Sequence, residues 1–293
     1  MTDTTDRKGV SMGFNLDGLG EWSDEKEFKV EADRAKAYAA ATNDSIAAHV
    51  SGDLAPPIFA VVPVWEAMGG AAAQVITPDM LPMVVHGEQD IRFHQPIRPG
   101  TVLRSKAAPV GVHVKPNGTT VVAKTETRDD AGQLVNEQYF TTFIRGATDG
   151  ESKGEEPPDH KFPEDARASA PVAEVAQTLD ADQTYRYSDA SGDLMPIHLD
   201  DDFAKGVGLP GIIIHGLCTM AFTSHAVIGS VCDGDPARLA RLSVRFSRPV
   251  LPTQTITTRI WAAGERDGRT VYAFETTNPD GDLVIKDGLA EVS

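Results

Sequence analysis

Hydrophobic and polar positions fall into two long series separated by a polar break. In the first, Val84–Phe93, Val102–Val114, Thr119–Arg128 and Leu134–Ile144 are rich in β-branched and aromatic residues and read as strands. Pro116-Asn117-Gly118 and Asp129-Asp130-Ala131-Gly132 between them read as turns. Upstream, Glu27-Phe28-Lys29-Val30 predicts a short strand. Glu31–Thr42 predicts an alanine-rich helix stopped at Asn43-Asp44, and Ile58–Ile76 predicts a buried helix closed by Thr77-Pro78. The second series predicts a helix from about His215 to Val231, then strands at Leu239–Ser247, Thr255–Ala262, Thr270–Thr277 and Leu283–Val292. Residues 1–26 are a loose polar lead-in, and 148–171, dense in charge, Gly and Pro, form a linker. The expected units are therefore 27–147 and 172–293.

The two series match in detail. Arg92-Phe93-His94-Gln95-Pro96 resembles Arg245-Phe246-Ser247-Arg248-Pro249, an offset of 153 (246 minus 93). Gly132 and Gly281 align in like turns at an offset of 149, and Asp44 and His49 have the same separation and offset relative to Asp193 and His198. Two fused copies of one α+β unit explain all three matches. Their sheets could pair edge to edge, removing an exposed strand edge.

Composition adds limits. The hydrophobic share of 41% is that of an ordinary globular chain, and the net charge of −16 argues against a nucleic-acid or anionic-membrane surface. Any anionic substrate then needs a local cation. Cys218 and Cys232 are too few for a disulfide framework, which points to a reducing compartment. No signal-peptide pattern, apolar run of about 18 residues or C-terminal Ser-Lys-Leu is read, so a cytoplasmic protein that does not engage membrane is expected.

The chemistry concentrates in 187–220. Asp193 and His198 lie five residues apart with Pro196 between them, and Ile214-His215-Gly216 leads into the second long helix. A carboxylate and an imidazole on one loop, beside a glycine N–H at a helix start, suit acid–base work on a developing anion. The plain alternatives are a turn aspartate and a loop-capping histidine. No metal-ligand spacing, nucleophile elbow or phosphate-binding loop occurs, and Cys218 reads as core.

Ser191-Gly192-Asp193, Pro196-Ile197-His198 and Ala204, followed by Pro210-Gly211-Ile212-Ile213-Ile214-His215-Gly216-Leu217-Cys218, resemble the MaoC-like (R)-specific enoyl-CoA hydratases, or hydratase 2. The resemblance covers almost everything from about residue 27 onward. It implies a double hot dog, in which each unit is an antiparallel sheet wrapped round a long helix. It also implies addition of water to trans-2-enoyl-CoA without a metal or redox cofactor. Asp193 and His198 become the catalytic pair and Gly216 the oxyanion donor. His86, Gly87, Lys115 and Phe246, with loop residues Leu194, Met195, Pro196 and Ile197, match positions that contact acyl-CoA. Lys115 would meet phosphate, with Arg98, Arg245 and Arg248 as weaker candidates. The family pattern has Asn where this chain has Met195.

The first unit lacks the glycine before its acid and the proline before its histidine. Pro56-Pro57-Ile58-Phe59 stands in place of His-Gly-Leu-Cys. It is read as the unit that has lost catalysis and accommodates the acyl chain along Phe59–Met68; a second working site at Asp44 and His49 is the minor alternative. Three further readings stay open: a non-catalytic acyl-CoA-binding subunit, a dehydratase of carrier-protein thioesters, and one of branched or dicarboxylic CoA esters. Monomer and homodimer are both open.

Overall fold

In the computed structural model, which describes residues 13–293, the second half of the chain repeats the first strand for strand. The first unit runs β1 (Lys26–Lys29), α1 (Ala32–Ala41), α2 (Ala47–Ser51), a 3-10 segment Pro57–Val64 continuing into α3 (Trp65–Val75), then β2 (Val84–Phe93), β3 (Val102–Lys115), β4 (Gly118–Arg128) and β5 (Leu134–Arg145). A two-residue strand β6 (Lys153–Gly154) lies in the connection. The second unit runs β7 (Ala173–Thr178), α4 (Gln183–Ser191), α5 (Asp201–Gly206), α6 (Gly216–Val231), β8 (Leu239–Phe246), β9 (Thr255–Arg266), β10 (Arg269–Thr277) and β11 (Leu283–Val292).

All these strands join one antiparallel sheet in the order β1-β3-β4-β5-β2-β8-β11-β10-β9-β7, with β6 on β3. The order is one unit followed by its mirror image, as two hot-dog units paired through β2 and β8 require. Asp90 and its counterpart Ser243 are direct partners in that central pairing, so a pseudo-twofold axis passes between them. Tyr38 and Tyr187, equivalent residues of α1 and α4, meet each other at 3.0 Å between hydroxyls. Corresponding loops also close alike. Gly132 N donates to Asp129 O and Gly281 N to Asn278 O; Ala55 N donates to Ile97 O and Ile214 N to Val250 O. Arg241 of β8, buried between Asp90 of β2 and Glu291 of β11, locks the junction with charge-assisted hydrogen bonds.

Each long helix packs on its own half of the sheet, α3 on β3 and β4, α6 on β8, β9 and β11. Apolar residues are buried nearly all round α6. Pro57–Val75 is long and apolar enough to cross a bilayer by composition, but Ile58–Val64 are wholly in the core.

Several expectations change. The helix expected at Ile58–Ile76 opens as a 3-10 segment because Pro57 and Pro63 remove backbone donors. Of the lead-in, residues 1–12 lie outside the described residues. Residues 13–24 are not loose: Asn15 N donates to Val75 O, Gly20 N to Pro109 O and Ser23 N to Ala107 O. The expected linker is likewise pinned. His160 donates through Nδ1 to Asp287 O at 2.6 Å with Nε2 3.4 Å from Glu88, and Phe162 packs edge-on against Trp261. Strand β7 and helices α2, α4 and α5 had no counterpart in the reading of the sequence.

Candidate active site

Asp193 and His198 are brought together by three local devices. Helix α4 ends at Gly192, whose φ of 84° turns the chain into the loop. Asp193 Oδ1 then accepts Met195 N at 3.1 Å, and Met195 O accepts His198 N at 3.0 Å, with Pro196 opening the 3-10 turn. The loop is clasped to the segment before α6: Ile213 N donates to Ile197 O, and His198 Nδ1 donates to Ile213 O at 2.8 Å. That donation fixes the tautomer and leaves Nε2 free.

The imidazole is nearly buried and the carboxylate half-buried. Burial pushes His198 below its ordinary value, against the opposing pull of the Ile213 carbonyl and the Asp193 carboxylate. His215 lies face to face with His198, ring centroids 3.7 Å apart and planes 23° apart. Burial, then the neighbouring His198, pushes His215 down to about 3. One donor atom each from Asp193, His198 and His215 falls within 4.8 Å of the others. Because the two rings are stacked, their in-plane lone pairs run side by side rather than converge, a poor match to a tetrahedral metal site.

Gly216 is the first residue of α6, so its N–H has no acceptor within the helix. A Cβ there would come within 3.2 Å of the Phe246 ring. That ring meets His86 edge-on at 5.0 Å, His86 stacks on Phe140 at 5.5 Å, and Phe140 is followed by Trp65 at 6.4 Å. An aromatic row thus runs from Gly216 into the first unit. Gly87 is the β-bulge residue of β2, and the bulge turns His86 to the helix side while Glu88 faces outward. Burial lowers His86 to about 4, so it is a neutral ring.

The remaining expected residues are placed less closely. Leu194, Met195 and Pro196 are exposed at the rim, with Ile197 half-buried below them. Lys115 is exposed at the β3–β4 hairpin, three strands from His86 at the same end of the sheet. Arg245 is not available for CoA phosphate. It faces away from Phe246 and is held by Glu88 and Asp287 on the outer side. Asp44 and His49 are in direct contact at 2.7 Å with both side chains fully buried, and His225 of α6 lies 3.1 Å from the same carboxylate oxygen. Burial favours protonated Asp44, but the neighbouring imidazoles of His225 and His49 outweigh it and hold the carboxyl below the usual range. Phe59–Val64 are sealed in the core, while Trp65 and Met68 are half-buried. Cys218 is buried core.

Thr184, Ser188 and His215 line the site without having been singled out in the sequence. Thr184 Oγ1 donates to His198 O at 2.8 Å, and both hydroxyls contact His215. The position of His215 directly before Gly216 was the one available sign.

Fold and site together define a double hot-dog protein with one open acid–histidine loop. The MaoC-like domain family matches residues 164–281, and the MFE-2 hydratase 2 N-terminal domain matches 51–146. The probable enoyl-CoA hydratase 2 of Dictyostelium discoideum is 32% identical over 71% of this chain and 69% of its own length. The 3-hydroxyacyl-thioester dehydratase Y of Mycobacterium tuberculosis is 33% identical over 76% of this chain and 77% of its own. A crystal structure of a MaoC-like dehydratase from Phytophthora capsici superposes with a TM-score of 0.80 at 25% identity, covering 95% of this chain and 97% of the other. The chain belongs to the MaoC-like dehydratase family, in its hydratase 2 form.

Proposed function

We propose that this chain catalyses the reversible, (R)-specific hydration of trans-2-enoyl-CoA to (3R)-3-hydroxyacyl-CoA. The carrying observation is the His198 imidazole, anchored through Nδ1, and the Asp193 carboxylate gathered with His215, the residue directly before the first N–H of α6 at Gly216. In this reading the thioester oxygen lies on the Gly216 N–H, where the helix start favours the negative charge that develops there. Asp193 and His198 hold one water between them. Its hydroxyl adds to C3, the pair takes up the proton left behind, and the pair returns one proton to C2, so that H and OH are added in all. The two groups act as a coupled unit. Dehydration is the same path reversed, in keeping with the name of the M. tuberculosis relative.

The acyl chain would extend along Phe246, His86, Phe140 and Trp65 into the first unit, and Lys115 is the cation for the CoA phosphates. No metal or redox cofactor has a step in this scheme. Two free buried cysteines fit a reducing, cytoplasmic setting. Met195 does not favour a non-catalytic subunit. Its side chain is exposed, and what the loop takes from residue 195 is its backbone N–H and C=O.

Purified protein incubated with trans-2-enoyl-CoAs of increasing length is expected to form (R)-3-hydroxyacyl-CoA. Binding of the whole series without turnover, or an (S) product, sinks the proposal.

A further inference from the structure

His215 has no step in the reaction above, yet it is 1% exposed and packed against both reacting residues. Its ring lies under His198 at 3.7 Å and against Tyr187 at 4.8 Å. Its Nε2 is 3.2 Å from Asp193 O and 3.2 Å from Ser188 Oγ, and its Nδ1 is 3.3 Å from Thr184 Oγ1. The neutral ring has one N–H for these contacts, and through its two nitrogens it ties Asp193 O to the α4 hydroxyls of Thr184 and Ser188.

The first unit serves as an internal control. Matching Ala55 to Ile214, on their equivalent bonds to Ile97 and Val250, puts Pro56 in the place of His215. With neither ring nor donor there, His49 has closed directly onto Asp44 through Nδ1 at 2.7 Å, leaving no room for water. In the second unit His198 turns its Nδ1 to Ile213 O instead, and Asp193 keeps its own turn.

We infer that His215 is a positioning residue for the proposed hydration: its ring holds His198 off Asp193, so that the gap between acid and imidazole stays open for water. The inference rests on the reading of Asp193 and His198 as the reacting pair. Neutrality matters as well as shape. A cationic platform would oppose the proton that the coupled pair takes up in turnover, and burial keeps His215 uncharged.

The test compares His215→Leu, which fills the space without a ring, with His215→Phe, which keeps the stack. Each variant is assayed for kcat, KM and pH–rate profile, and the His198 ring is followed by NMR titration. In His215→Leu, kcat is expected to fall about 100-fold with KM within about threefold. The His198 midpoint and the acid limb should both rise as the ring closes on the Asp193 carboxylate. His215→Phe should recover most of the rate and leave the midpoint unmoved. Equal losses in the two variants, an unmoved His198 midpoint in His215→Leu, or a change confined to KM overturns the inference. The parent reading is judged separately by Asp193→Ala: if that variant turns over normally, the reacting pair itself is wrong.

Discussion

In the first unit, Asp44 and His49 meet in the protein interior, and His225 of the other unit's helix closes the cluster. In the second unit, the equivalent Asp193 and His198 stay apart on a loop whose rim is exposed. Spacing is the same in both, so spacing does not make a site. Both loops open alike, Asn43 taking with φ of 52° the left-handed turn that Gly192 takes with 84°. Two neighbours account for the difference. Pro56 replaces the platform of His215. Pro57 replaces Gly216, and a proline has no N–H to offer an anion. The first unit has lost the donor as well as the water.

The largest effect that could break this comparison is catalytic. Asp193→Asn and His198→Gln should each lower kcat by about a thousandfold or more with the fold retained. Asp44→Asn should leave kcat within about threefold yet lower stability by about 3 kcal/mol, since it unbalances a buried charged cluster. Steady-state kinetics beside denaturant unfolding separates the two pairs. If Asp44→Asn abolishes turnover in a protein that still unfolds cooperatively at the original midpoint, both loops work.

Next in size is the anion site. Gly216→Ala brings a Cβ to 3.2 Å from Phe246 and should lower kcat/KM about tenfold, about 1.4 kcal/mol. An unaffected rate would show that the thioester does not approach this helix start.

Protons give a subtler difference. His215 and His86 are held neutral, at about 3 and about 4, whereas an unfolded chain protonates its histidines near 6.5. Below pH 6.5 the unfolded state therefore binds more protons, and stability falls as pH falls toward 3. Above pH 6.5 these groups contribute no slope. Urea midpoints measured from pH 8 to pH 4 check the sign, and a midpoint that rises on acidification contradicts it. The smallest expected effect is that of Met195→Asn. The residue acts through its backbone, so kcat should change within about twofold.

Much of this was legible in the chain. Strands such as Val84–Phe93 and Leu283–Val292 carry enough β-branched and apolar residues to fix their ends, and the helix at 216–231 is apolar nearly all round. The site loop was legible because its turn chemistry is local: glycine, acid, proline and histidine in sequence. Helix α4 was not, because its buried face is made of Thr184, Tyr187, Ser188 and Ser191, whose burial is balanced by hydrogen bonds rather than by an apolar stripe. The outward aim of Arg245 was hidden for another reason. Alternation along β8 sets Arg245 and Phe246 on opposite faces, but only the partners Glu88 and Asp287 show that the outer face is occupied. The segment read as a linker by composition, and its pinning depends on His160 and Phe162 finding partners far away in sequence, Glu88, Trp261 and Asp287.

The pairing of β2 with β8 has one further consequence, for inheritance. When two identical chains supply the two halves of such a sheet, every substitution appears twice, and a change that seals one site seals the other. Joined in one chain, the halves mutate separately. Pro57 could enter one half while Gly216 was kept in the other, so a symmetric scaffold became free to hold two unlike sites.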